Sequence, residues 1–160
     1  MALSELSIIG GGLAGCEAAW QAASAGIHVR LYEMRPAVQT PAHSTDQLAE
    51  LICSNSLGAN QRNRPAGLLK AELRSLDSFL LNCADESAIA AGGALAVDRN
   101  LFSSLVTTRL SAHPNIQIIR EEVRFLPETP CIIASGPLTS PALTDQITHL
   151  IGADFLYFYD

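Results

Sequence analysis

Residues 6–15 constrain the fold more than any other part of the chain. Apolar Leu6-Ser-Ile-Ile9 runs straight into Gly10-Gly-Gly-Leu-Ala-Gly15, and an Ala-rich stretch from Cys16 to Ala25 follows. A strand that enters a glycine turn and leaves it as a helix is the opening of a βαβ unit. Gly26 stands where a left-handed residue stops the helix, and Ile27-His-Val-Arg-Leu-Tyr-Glu33 alternates well enough to be the second strand. Two strands joined by a crossover helix run parallel.

Within that unit, Gly10-x-Gly12-x-x-Gly15 is the spacing of a dinucleotide-binding turn, and Glu33 follows Gly15 by 18 residues at the end of the second strand. Gly10 permits the tight turn, Gly12 lets backbone approach a pyrophosphate, and Gly15 lets helix and sheet pack closely. The unpaired N–H groups and dipole of the helix start favour the diphosphate charge. A carboxylate at Glu33 suits ribose hydroxyls. Gly10, Gly11, Gly12, Leu13, Ala14, Gly15 and Glu33 are therefore the cofactor-binding candidates. The fingerprint alone does not separate FAD from NAD(H).

Beyond Glu33, residues 34–66 carry Pro36, Pro41 and Pro65 among Ser, Thr and Asn. This reads as a long irregular insertion of functional type, with a short helical piece over 46–52. Leu69, Leu73, Leu76, Leu80 and Cys83 then repeat at helical spacing, which predicts one amphipathic helix over 66–84. Ala94-Leu-Ala-Val97 reads as a strand, with Asp98 as N-cap of the helix after it. Strands are expected over 116–123 and 131–135, and Ser140-Pro141 opens a last helix that Gly152 closes. The aromatic run Ala153–Asp160 reads as a strand without a closing turn, so the chain is expected to be the front part of a longer protein.

Composition narrows the function classes. Of 160 residues, 48% are hydrophobic and 16% charged, enough to build a core. Ten Lys+Arg against 16 Asp+Glu give a net charge of −6, unsuited to an autonomous nucleic-acid binder. Arg62, Arg64, Lys70 and Arg74 are the one basic concentration and read as a solvated face. No run is long and apolar enough to span a membrane, and the N-terminus lacks signal-peptide character; a cytoplasmic location is expected. Cys16, Cys53, Cys83 and Cys131 contain no CxxC pair, which predicts free thiols and no metal site.

Seven segments together carry a family likeness: Gly10-Gly-Gly-Leu-Ala-Gly-Cys-Glu-Ala-Ala19, Tyr32-Glu-Met-Arg-Pro36, Thr40-Pro-Ala-His43, Cys53-Ser-Asn-Ser-Leu-Gly58, Gly67-Leu-Leu-Lys-Ala-Glu72, Gly92-Gly-Ala-Leu-Ala-Val-Asp-Arg99 and Ser135-Gly-Pro-Leu-Thr-Ser-Pro141. The chain resembles, over nearly all its length, the N-terminal part of the folate- and FAD-dependent tRNA (uracil-5-)-methyltransferases. The resemblance implies a Rossmann-like α/β FAD-binding domain with a parallel sheet, of the two-dinucleotide-binding flavoprotein type. Cys131-Ile-Ile-Ala-Ser-Gly136 is similar to the second dinucleotide-contacting strand of such proteins, which adds Gly136. Val123 stands where they hold adenine through backbone groups.

The implied reaction takes a one-carbon unit from 5,10-methylenetetrahydrofolate, reduces it with NAD(P)H electrons passed through FAD, and places it on C5 of a uridine in the tRNA T-loop. Uracil C5 is a poor nucleophile until a thiolate adds at C6, or until a base removes the C5 proton from an adduct. Cys53 matches a family cysteine with a catalytic assignment, as nucleophile or as acid/base. The resemblance implies that the family's second functional cysteine and most of the tRNA-binding surface would lie beyond Asp160. A related flavoprotein group that modifies the wobble uridine shares the glycine-rich start, but Glu33-Met-Arg-Pro36 and Cys53-Ser-Asn-Ser56 stand against it. A non-catalytic FAD-binding module is the reading from a different class.

Overall fold

The computed structural model describes residues 4–152. Strand β1 (Glu5–Ile9), helix α1 (Leu13–Ser24) and strand β2 (His28–Tyr32) form the expected βαβ unit. After the insertion come β3 (Ser56–Ala59), α2 (Pro65–Ser75), α3 (Phe79–Glu86), β4 (Ala88–Ile89), β5 (Ala94–Val97) and α4 (Arg99–Ala112). The described chain ends with β6 (Ile116–Ile119), β7 (Cys131–Ile133), a 3-10 turn at Gly136–Leu138, and α5 (Pro141–Ile151).

The main sheet has the order β6-β2-β1-β7 and every pairing in it is parallel. Leu6 stands opposite Val29, and Ile8 opposite both Leu31 and Ile132. This α/β arrangement is the Rossmann-like one expected. Connections leave β1 toward β2 on one side, while β7 returns on the other, so the β1 carboxyl end is a topological switch point. The second sheet, β3-β5-β4, is small and antiparallel.

Fully buried Ile8, Val29 and Leu31 meet Cys16 and Ala19 of α1 and Phe102, Val106 and Leu110 of α4. α1 also packs on α3, where the Trp20 and Phe79 rings stack with centroids 4.3 Å apart.

Several expectations are corrected. The helix predicted over 66–84 is two helices, because Asp77 takes φ 55° and Ser78 caps α3 through Leu81 N. The break is fixed from outside: Glu17 of α1 accepts from Phe79 N (3.0 Å), Leu80 N (2.9 Å) and the Ser78 hydroxyl (3.0 Å). The apolar spacing was therefore shared between two axes, and Leu69 and Leu76 stay exposed. No helix forms over 46–52. Ala49 has φ 52°, and its N–H and that of Leu48 donate to Gly11 O and Thr107 Oγ1 instead of to a preceding turn.

Strand β6 stops at Ile119 instead of Val123, since its partner β2 ends at Tyr32. Strands β3 and β4 were not foreseen; Ser-Leu-Gly-Ala and a two-residue Ala-Ile offer little strand signal. The run 153–160 lies outside the described residues. Of the basic concentration, Lys70 is buried and donates to Ala59 O and Ala66 O, and Arg74 is paired with Asp85. No helix of the described residues is long and apolar enough to cross a membrane.

Because Glu17 supplies both acceptor and negative charge at the start of α3, Glu17→Ala should destabilise the fold by about 1–2 kcal/mol. Urea denaturation followed by circular dichroism measures it, and an unchanged midpoint would remove the capping role.

Candidate nucleotide-binding site

At the carboxyl ends of β1 and β2 lies a cleft of about 340 Å³. Gly10, Gly12, Glu33, Val123, Ser135 and Gly136 all line it, as do Gly11, Leu13 and Ala14. The expected cofactor-binding residues are thus gathered around one space, with Gly15 just behind it in α1.

Gly10 takes φ +109°, and a Cβ there would stand 2.5 Å from Ala134 O, so the turn passes hard against the end of β7. Gly15 is closed off by Gly10 O, which fixes how near α1 comes to the sheet. Gly12 differs: a Cβ there would meet nothing within 4 Å. It is the N-cap of α1, with no side chain bonded to the helix start and no acidic residue in the first turn. Uncapped N–H groups facing a cleft provide both donors and dipole for an anion.

Glu33 is buried, and its carboxylate is already oriented. Oε2 accepts from Gly11 N (3.1 Å), and Oε1 accepts from Arg35 N (3.0 Å) and Arg35 Nε (2.9 Å). Burial opposes its charge, but the Arg35 bonds and Gly11 N–H outweigh that and hold the carboxyl below the usual range. A side chain at Gly11 would run into Glu33 Oε2 and Leu48 Cδ2. The glycine triplet thus serves the carboxylate as well as the turn.

The residue that sequence reading passed over is Arg35, which is almost wholly buried. Besides Glu33, it donates to Glu50 Oε2 (2.9 Å), Thr45 O (3.0 Å) and Gln47 O (3.2 Å). Its own carbonyl accepts from Arg120 (3.2 Å). Glu50 collects further donors from Ser44 and Thr45, both backbone and hydroxyl. Burial again opposes ionisation, yet these bonds bring its pKa down to about 2. The signal was the Glu33-x-Arg35-Pro36 spacing, but nothing in it names Glu50 as a partner.

Thr40, His43 and Ile52 of the insertion also line the cleft. His43 Nδ1 lies 2.6 Å from the Thr40 hydroxyl, and burial followed by the Arg35 charge lowers its pKa. Cys53 is exposed on the loop directly after Ile52 and is not among the lining residues. Cys16 is the opposite case. Buried, with its Sγ donating to Gly11 O (3.3 Å), its thiol is pushed up to about 12 by burial and then by the Glu33 charge. It is a structural thiol. Val123 reaches the cleft from a loop four residues past β6. Asp98 caps α4 as expected, through Asn100 N and Leu101 N. Among the described residues no group of three His, Cys, Asp or Glu side chains is placed to hold a metal.

A four-stranded parallel sheet with a glycine turn at its switch point, an uncapped helix behind that turn and an acid ending β2 define the Rossmann-like nucleotide-binding class. Residues 5–160 match the family described as glucose inhibited division protein A, and the chain belongs to it. It is 57% identical over 155 residues to the methylenetetrahydrofolate-tRNA-(uracil-5-)-methyltransferase TrmFO of Bacillus subtilis (strain 168), covering 97% of this chain and 36% of that protein. The protein of the same name from Bacillus cereus (strain AH187) is 52% identical over 160 residues, which is 100% of this chain and 37% of the relative. The chain thus spans little more than a third of the length of the curated relatives it matches. Among solved structures, p-nitrophenol 4-monooxygenase PnpA from Pseudomonas putida DLL-E4 aligns with TM-score 0.43 at 16% identity, over 72% of this chain and 30% of that one.

The depressed Glu50 carboxyl has a consequence for acid stability. A group whose folded pKa lies below its ordinary 4.5 contributes stability above pH 4.5 and loses it as pH falls toward about 2. Glu33 acts in the same direction. Wild-type stability should therefore fall between pH 4.5 and 2 in urea titrations, and Glu50→Gln should lose less across that window. Parallel acid profiles for the two would contradict the assignment.

Proposed function

We propose that this chain is the FAD-binding part of an enzyme that moves a one-carbon unit from 5,10-methylenetetrahydrofolate to C5 of a uridine in the tRNA T-loop, with NAD(P)H as reductant. The observation that carries the cofactor half is the bare start of α1. Gly12 leaves open space over N–H groups that no side chain caps, and the cleft in front of it runs past the Glu33 carboxylate. A diphosphate on the helix start and a ribose at Glu33 fit that arrangement, with Val123 on the adenine side and Gly136 just past β7, the second dinucleotide-contacting strand in this reading. When bound, FAD supplies electron transfer between the nicotinamide and the one-carbon unit. The chain's own residues bind and orient it.

Support for the reaction half comes from the identity of 52–57% to relatives that bear the methyltransferase name. Cys53 is the candidate catalytic residue of this chain. Its exposure suits a group that must reach a base presented by a large RNA, and it follows directly on Ile52, which lines the cleft. tRNA is the partner in this reading, held mainly by parts of the enzyme other than these acidic 160 residues.

Two measurements test the halves separately. The purified chain should bind FAD and turn yellow, and Gly12→Val should weaken binding about 100-fold, the loss of about two charge-assisted hydrogen bonds. Because Gly12 has φ −77° and room for a side chain, that variant should fold normally. A colourless wild type that takes up no FAD would overturn the cofactor reading.

In the full-length enzyme, Cys53→Ala should abolish formation of 5-methyluridine in tRNA, read by nucleoside mass analysis, while leaving FAD bound. Retained methylation would take Cys53 out of the reaction. Loss of a wobble modification instead would assign the chain to the related tRNA-modifying group.

A further inference from the structure

Resting on the FAD reading above, we infer that Arg35 is a positioning residue that couples the nucleotide site to the loop presenting Cys53, through a closed ring of hydrogen bonds around Gly11. The ring can be followed atom by atom. Gly11 N–H donates to Glu33 Oε2, and Arg35 Nε donates to Glu33 Oε1. From Arg35 the ring passes to Glu50 Oε2, Thr45 O and Gln47 O. It closes where Ala49 N donates to Gly11 O at 2.8 Å.

Each side of the ring faces a different task. On one side, Gly11 and Glu33 line the nucleotide cleft. On the other, residues 44–50 lead within three residues to Cys53. Residues 44–52 have no helix or strand of their own. Their backbone is fixed instead by the Arg35 guanidinium, by the Thr107 hydroxyl on Leu48 N and by Arg99 on Leu51 O. A guanidinium suits this task because its fork of donors reaches two carboxylates and two carbonyls at once, which an ammonium does not. Glu33 meets a ribose in the orientation that its bonds to Gly11 and Arg35 hold, so a nucleotide in the cleft favours the closed ring and the loop that the ring orders. The reverse holds by linkage: a loop released from Arg35 should bind the nucleotide less well by the same factor.

The test uses Glu50→Gln and Arg35→Lys beside wild type. Two quantities are read: the FAD dissociation constant, by flavin fluorescence, and the rate of Cys53 alkylation by iodoacetamide with and without saturating FAD, by peptide mass mapping. Glu50 lies outside the cleft lining, so its replacement does not touch the nucleotide directly. In wild type FAD should slow Cys53 alkylation; both variants should bind FAD about tenfold more weakly and lose most of that protection. Should Glu50→Gln fail to fold, Thr45→Val removes one neutral hydroxyl from the same carboxylate and should shift both quantities in the same direction, by less.

Variants that keep the wild-type FAD affinity, or that keep full FAD protection of Cys53, would overturn the coupling, since the shielding would then be direct. A wild type that binds no FAD would overturn the reading on which the coupling rests. A flavin-binding wild type with unchanged variants overturns the coupling alone.

Discussion

The site is built around one buried cation. Arg35 sits between the carboxylates of Glu33 and Glu50, so the cluster carries one positive and two negative charges. Such a group survives burial only when every remaining lone pair is met. Here Gly11 N–H, Arg35 N and the backbone and hydroxyl donors of Ser44 and Thr45 meet them. Removing the cation would leave two carboxylates unbalanced, at a cost of about 3–5 kcal/mol typical of a broken buried pair. The same cation fixes the orientation of the Glu33 carboxylate and the course of the loop above the glycine turn.

How much of this was legible in the sequence follows from the range of each interaction. The glycine turn, the start of α1, the Asp98 cap and the helix closed by Gly152 depend on neighbours within a few residues, and they read directly from residue type and spacing. The break between α2 and α3 did not, because the carboxylate that caps α3 belongs to Glu17, about sixty residues earlier. Periodicity counts apolar positions without regard to a distant carboxylate. It therefore ran one helix through Leu76 and assigned Leu69 and Leu76 to a core they do not enter.

The same limit governs the insertion. Composition marked residues 34–66 as irregular, but order there comes from contacts over long sequence separations: Leu48 with Thr107, Leu51 with Arg99, Ala49 with Gly11. A stretch such as Asp46-Gln-Leu-Ala-Glu-Leu-Ile52 has helical propensity, and tertiary bonds to its backbone override that propensity. The position of a candidate residue did not depend on the element expected to carry it. Val123 lies at the cleft although the strand expected to deliver it ends at Ile119. Of the seven motifs, those at 10–19, 32–36, 40–43 and 135–141 supply residues that line the cleft, whereas those at 53–58, 67–72 and 92–99 do not.

The four cysteines show how position in this fold separates chemistry from packing. Cys16 lies under the glycine turn, where burial and the Glu33 charge both oppose a thiolate, and its proton serves Gly11 O. Burial likewise raises Cys83, with only partial relief from Arg109. Neither thiol offers a nucleophile. Cys53 lies at the surface, on a loop whose course is set by the cation under the nucleotide cleft. Glu33, which adds to the effect of burial on Cys16, is thus bonded to the same guanidinium that holds the carbonyls of Thr45 and Gln47, so the glycine turn, the Glu33 carboxylate and the loop before Cys53 share a single set of bonds.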